Sequence, residues 1–147
     1  MSFSERELFA RLLKCEAGGE GADGMKAVAT VVMNRVHTGI GEYAREGQGS
    51  LRNIIFQPYQ FTCIMSEVYG EVNPQTIWAT PPEQIHYDIA DWALAGNKHW
   101  GAGESLWYYN PFSVICAQAF PYNGSGAYFN RVNLHCFYVP TELYAQT

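Results

Sequence analysis

SERELFARLLKCEAGGEGADGMKAVATVVMNRVH, residues 4–37, carries two runs of helical apolar spacing separated by glycines. Ser4 followed by Glu7 reads as a capping box. Leu8, Phe9, Leu12 and Leu13 then recur at helical intervals and predict a first helix over residues 5–17, stopped by Gly18 and Gly19. Asp23 is the expected cap of a second helix, whose Met25, Val28, Ala29, Val32 and Val36 run on to about His37. That second helix has few polar positions and is expected to be largely buried.

Glu16 breaks the pattern of the first helix. It lies four residues after Leu12 and eight after Leu8, so a helix puts it on their apolar stripe. Burial there would raise its pKa above the usual value of about 4.3, because desolvation penalises the charged form. A carboxyl that keeps its proton near neutral pH is what a glycosidase acid needs. Periodicity equally accommodates Glu16 as a fraying helix end, or as the partner of Arg11, Lys14 or Arg35.

Outward from this stretch, Gly39–Gly49 is polar and glycine-rich and reads as an exposed loop. Ser50 is the expected cap of a short helix through Ile55, with Phe56–Phe61 irregular around Pro58. Thr80, Pro81 and Glu83 supply a cap, a first-turn proline and a box partner for a helix through Ile85, Ile89, Trp92 and Ala93, stopped at Gly96. Beyond Gly101 the runs 105–109, 127–132 and 135–139 are short and aromatic or β-branched, and predict a small antiparallel sheet. The expected fold is therefore α+β, mostly helical, in one domain over residues 1–147.

With 48% apolar residues, 147 residues suffice for one well-filled core. The 4 Trp, 10 Tyr and 8 Phe suit either that core or the faces of sugar rings. A net charge of −5 without a basic run argues against nucleic-acid and anionic-membrane partners. The N-terminus places Glu5, Arg6 and Glu7 where a signal peptide needs apolar residues, and no 18-residue apolar run occurs, so neither export nor membrane insertion is expected. Cys15, Cys63, Cys116 and Cys136 form no CxxC pair and no metal-ligand spacing with His. They read as free thiols, with a Cys116–Cys136 disulfide possible, and no metal or cofactor is expected.

The segment LLKCEAGGEGADGMKAVATVVMNRV resembles the opening of cell wall hydrolases of the SleB and CwlJ type, marked by Glu-Ala-x-Gly-Glu and then Asn-Arg-Val. Those positions are Glu16, Ala17, Gly19, Glu20, and Asn34, Arg35, Val36. The likeness continues in order through IIFQPYQF (54–61), AGNKHW (95–100), LWYYNP (106–111) and HCFYVPT (135–141). It implies a fold like lysozymes and lytic transglycosylases, Glu16 as catalytic acid, and spore-cortex peptidoglycan containing muramic δ-lactam as substrate. It further implies the branch without an export signal, made in the mother cell and assembled at the coat–cortex boundary of the spore, where a coat protein could hold it. The stretch 39–49 matches no motif of the family.

Hydrolytic glycosidases normally use two carboxylates, about 5–5.5 or 6.5–9.5 Å apart. Glu20 is the candidate for the second, or else it orients backbone or Glu16 by a hydrogen bond. A lytic transglycosylase needs only one acid, since the muramyl 6-hydroxyl supplies the nucleophile. Asn34 and Arg35 interrupt an apolar helix and could hold substrate oxygens or a peptide-stem carboxylate, or bond to the turn 18–21. Gln57, Tyr59 and Gln60, with Tyr108, Tyr109 and Asn110 opposite, are the candidate substrate contacts. Two other classes compete: a cysteine peptidase or amidase with Cys15 as nucleophile and His135 as base, and a non-catalytic carbohydrate-binding module.

Overall fold

Five helices and two small antiparallel sheets make up the α+β fold seen in a computed structural model describing residues 3–147. Helix α1 spans Glu5–Ala17 and buries Leu8, Phe9, Leu12 and Leu13 as its spacing requires. Ser4 Oγ accepts the Glu7 N–H at 3.1 Å. The box is only half made, however, because the Glu7 carboxylate turns outward to Arg11, 2.8 Å away.

Helix α2, Gly21–His37, starts earlier than expected. Its N-cap is Glu20, and Asp23 sits inside the first turn facing His99 Nε2 at 3.2 Å. From Met25 to Val36 it is buried apart from Lys26, since α1, α5, α3 and α4 all pack on it. Gly24 lies directly beneath Glu20, whose Cβ would stand 2.6 Å from any Cβ added there.

The expected loop 39–49 is instead interrupted by helix α3, Gly41–Gly47. It shows little periodicity because it buries only Tyr43 and Gly47, the tyrosine ring lying 6.2 Å from Trp107 and 6.1 Å from Tyr144. Helix α4, Leu51–Phe56, is capped by Ser50 as expected, its Oγ accepting the Asn53 N–H at 3.1 Å.

Residues 57–83 hold two 3₁₀ turns, Thr62–Ile64 and Ile77–Ala79, around a two-stranded hairpin of β1 (Glu67–Val68) and β2 (Glu71–Val72). Helix α5, Gln84–Leu94, begins three residues later than Thr80 would set it. Glu83 is the cap and forms a box with His86, whose Nδ1 accepts the Glu83 N–H at 2.9 Å. Thr80 turns its hydroxyl to the Thr76 carbonyl instead. Gly96, at φ +96°, closes the helix end.

The C-terminal sheet has the order β3-β5-β4, with β3 Trp107–Tyr109, β4 Gly126–Val132 and β5 His135–Pro140. A register shift between Tyr128 and Asn130 accounts for the imperfect alternation of β4. All four cysteines are paired, which corrects the reading as free thiols: Cys116 bonds Cys136 as allowed, and Cys15 bonds Cys63 across 48 residues. Local spacing could not reveal the second pair, because only the packing of the 61–64 turn against α1 brings those sulfurs together. No helix among the described residues is long and apolar enough to cross a membrane.

Candidate active site

The last turn of α1 delivers Glu16 to a cleft of about 430 Å³ between the 61–75 segment and the C-terminal sheet. The opposite wall carries Tyr108 of β3 and His135 of β5, and the rim carries Thr62, Asn73 and Gln75. Tyr108 Oη donates to Glu16 Oε1 at 2.9 Å. The Cys63 N–H and the Thr62 hydroxyl also reach the carboxylate. Oε2 lies 2.8 Å from the Cys63 sulfur, which is spent in the disulfide and has no proton to donate.

Burial is the largest influence on Glu16 and raises its pKa, outweighing the Tyr108 hydrogen bond, the Arg35 charge and the smaller hydrogen bonds, which all lower it. Among the described residues no cation pairs with it directly. Arg11 is held by Glu7, Lys14 by the Pro81 carbonyl and Glu83, and Arg35 by backbone. Burial and the Glu16 charge push Tyr108 well above its ordinary value of 10, so the phenol stays a donor.

The expected supporting residues separate into two groups. Asn34 and Arg35 are buried and reach neither the cleft nor the 18–21 turn. Asn34 Nδ2 donates to the Gly103 and Ser105 carbonyls at 2.9 Å each, and Arg35 Nε donates to the Leu106 carbonyl at 2.8 Å. They fix the strand entry that places Tyr108. Glu20 does not touch Glu16; its Oε1 accepts the Leu134 N–H at 3.0 Å and its Oε2 meets Nδ1 of His135.

Gln57 is buried, with its Nε2 donating to Glu42 at 3.2 Å, and is not brought to the cleft. Gln60 and the exposed Tyr59 line an adjoining hollow with Arg35 and Tyr108, although Gln60 Oε1 already accepts from Tyr43 Oη at 2.8 Å. Tyr109 stacks on Phe120 and Tyr138, while Asn110 lies in a separate depression with Phe112 and Leu134. Thr62, Asn73 and Gln75 escaped the sequence reading, since polar residues in an irregular segment carry no periodic signal. Locking Cys15 and Cys63 together removes the thiolate that a Cys15-dependent peptidase would require.

An enclosed carboxyl at the end of a buried helix faces a small antiparallel sheet across a cleft, within an α+β fold. The fold is that of the catalytic domain of the germination-specific lytic transglycosylase SleB from Bacillus anthracis (TM-score 0.65, 22% identity, 94% of this chain and 96% of that one). The Bacillus cereus SleB catalytic domain superposes equally well (TM-score 0.65, 22% identity, 93% and 92% covered). Residues 19–138 match the Cell Wall Hydrolase family model. The cell wall hydrolase CwlJ of Bacillus subtilis is 31% identical over 135 residues, covering 92% of this chain and 84% of the relative. CwlJ of Oceanobacillus iheyensis is 28% identical, with 94% and 88% covered. The chain belongs to the cell wall hydrolase family.

Proposed function

We propose that the protein cleaves the glycan strands of peptidoglycan, with Glu16 as its acid, and that its substrate is spore cortex bearing muramic δ-lactam. The observation that carries this is the Glu16 carboxyl, whose pKa burial raises and which opens to a cleft. It can hold its proton until the leaving sugar oxygen needs it. Among the described residues Glu16 is the one carboxylate lining the cleft, and Glu20 is committed to Leu134 and His135. That favours lytic transglycosylation, in which the muramyl 6-hydroxyl attacks and no second carboxylate is required.

Mass spectrometry of digested cortex tests the chemistry. Anhydro-muramyl ends are expected; reducing ends would make the enzyme a hydrolase, and intact glycan would overturn the assignment. The SleB neighbour is named germination-specific, and we extend the proposal to the coat–cortex boundary of the spore, with synthesis in the mother cell and a coat protein as anchor. Immunogold labelling of spore sections would show it there, and label confined to the spore core would refute it.

A further inference from the structure

Glu20 is a carboxylate with a side chain only 6% exposed, a costly arrangement unless every oxygen is used. One oxygen suffices to anchor the β4–β5 turn through the Leu134 N–H, and Asn133 Nδ2 adds a bond to the Glu20 carbonyl at 2.6 Å. The other oxygen is spent on Nδ1 of His135. Oε2 and Nδ1 are both buried and have no other partner among the described residues, so a proton between them is favoured, which selects the Nδ1–H tautomer and leaves Nε2 its lone pair. Among the described residues nothing hydrogen-bonds to Nε2, and His135 lines the same cleft as Glu16. The Tyr108 ring meets the imidazole edge to face, centroids 5.1 Å apart, while its hydroxyl holds Glu16. Acid and imidazole thus both contact one tyrosine.

We infer, on the footing that Glu16 is the acid proposed above, that His135 braced by Glu20 is the catalytic base that takes the proton of the attacking hydroxyl. The hydroxyl O–H bond breaks and its proton passes to Nε2, while its oxygen bonds the anomeric carbon. The bond from that carbon to the leaving oxygen breaks, and the leaving oxygen takes the proton of Glu16. One proton then moves from the imidazolium to the Glu16 carboxylate, directly or through solvent, and both groups are restored. The attacking hydroxyl is the muramyl 6-hydroxyl in the transglycosylase course and water in hydrolysis; Nε2 serves either.

Burial pushes His135 down to about 4, and the Glu20 carboxylate is the charged group against its Nδ1. The other charged or titratable groups at hand are Glu16 on α1, Tyr108 on β3 and Arg131 on β4, whose guanidinium is bonded to the Asn133 and Leu134 carbonyls. Above that pKa the ring is neutral and able to accept.

The test has two arms on the full chain. Imidazole ¹⁵N shifts at pH 7 should show His135 neutral with Nδ1 protonated; a protonated Nε2 overturns the proposal without reference to activity. On soluble glycan strands, His135→Gln should lower kcat about 100-fold with KM within about threefold. It should also erase the acidic limb of the pH–rate profile, and added imidazole should partly rescue His135→Ala. Loss without rescue and with the acidic limb intact would mean a structural role only. Wild type and Glu16→Gln run alongside: a Glu16→Gln enzyme as active as wild type sinks the acid assignment, whereas a fully active His135→Gln with an inactive Glu16→Gln sinks the base alone.

Discussion

The helical wall of the cleft and its rim are built by opposite means. Glu16 sits on a helix whose Leu8, Leu12 and Leu13 are buried in the core against α2. The rim, residues 61–80, exposes Tyr69 and Val72 almost fully and anchors little apolar surface beyond Phe61, Cys63 and Ile77. It is tied by the Cys15–Cys63 bond and by Asn73, whose Nδ2 donates to the Thr62 and Met65 carbonyls at 3.0 Å each. The difference teaches where each task sits. The proposed acid is positioned by packing, which is stiff, and the surface that meets substrate is positioned by a few discrete ties, which are separable.

The sharpest break of that contrast is Glu16→Gln. Activity on cortex glycan should fall at least about 100-fold, the usual weight of general acid catalysis. The same change should stabilise the fold at pH 7. Because burial raises the Glu16 pKa above its ordinary 4.5, the neutral form favours folding. That contribution is complete below the unfolded value and is lost as pH rises through the folded one. Thermal unfolding should therefore show a gain at pH 7 that vanishes near pH 4, and a loss at both pH values would count against a carboxyl whose pKa burial raises.

The two disulfides allow a comparison of covalent ties. Cys15–Cys63 closes 48 residues and Cys116–Cys136 closes 20. Chain entropy alone assigns them about 4 and about 3 kcal/mol. Replacing both cysteines of a pair by Ser should follow that order in denaturant midpoints. Only the first pair should also raise KM, since only it tethers the rim to the helix bearing Glu16. Equal KM effects from both would dissolve the distinction between rim and wall.

A smaller effect is expected at Asn73. Asn73→Ala removes two rim hydrogen bonds, worth about 1–3 kcal/mol together. KM on glycan chains should rise severalfold with kcat nearly unchanged. A fall in kcat instead would show that the rim helps to position Glu16.

The same contrast governed what could be read from the residues alone. α1 and α2 were legible because their apolar spacing is imposed by a core on one or more faces, and Glu16 stood out because it violates that spacing. α3 was illegible because one tyrosine carries its burial, and β1–β2 because the strands are two residues long and exposed apart from a half-buried Val68. The cap of α5 was misplaced because Thr80 and Glu83 are both acceptable caps, and His86 decides between them. Asn34 and Arg35 were recognisable as anomalies, but their partners lie about 70 residues away on a segment whose approach no local pattern encodes. The Glu20–His135 contact is hidden for the same reason.

The finest test concerns Tyr108, which belongs to the sheet wall and touches the acid. Its hydroxyl donates to Glu16 and favours the ionised carboxylate, so it opposes the burial that raises the Glu16 pKa. Tyr108→Phe removes that donor while leaving the ring against His135 and Phe137. The Glu16 pKa should then rise further. An acid is active while protonated, so the alkaline limb of kcat/KM should move to higher pH. The rate on its acidic side should fall only severalfold, since the donor also steadies the charge that develops on Glu16 as it gives up its proton. The limb position, read from a pH–rate profile on soluble glycan strands, decides it: movement to lower pH would mean that Tyr108 acts on Glu16 chiefly by enclosing it.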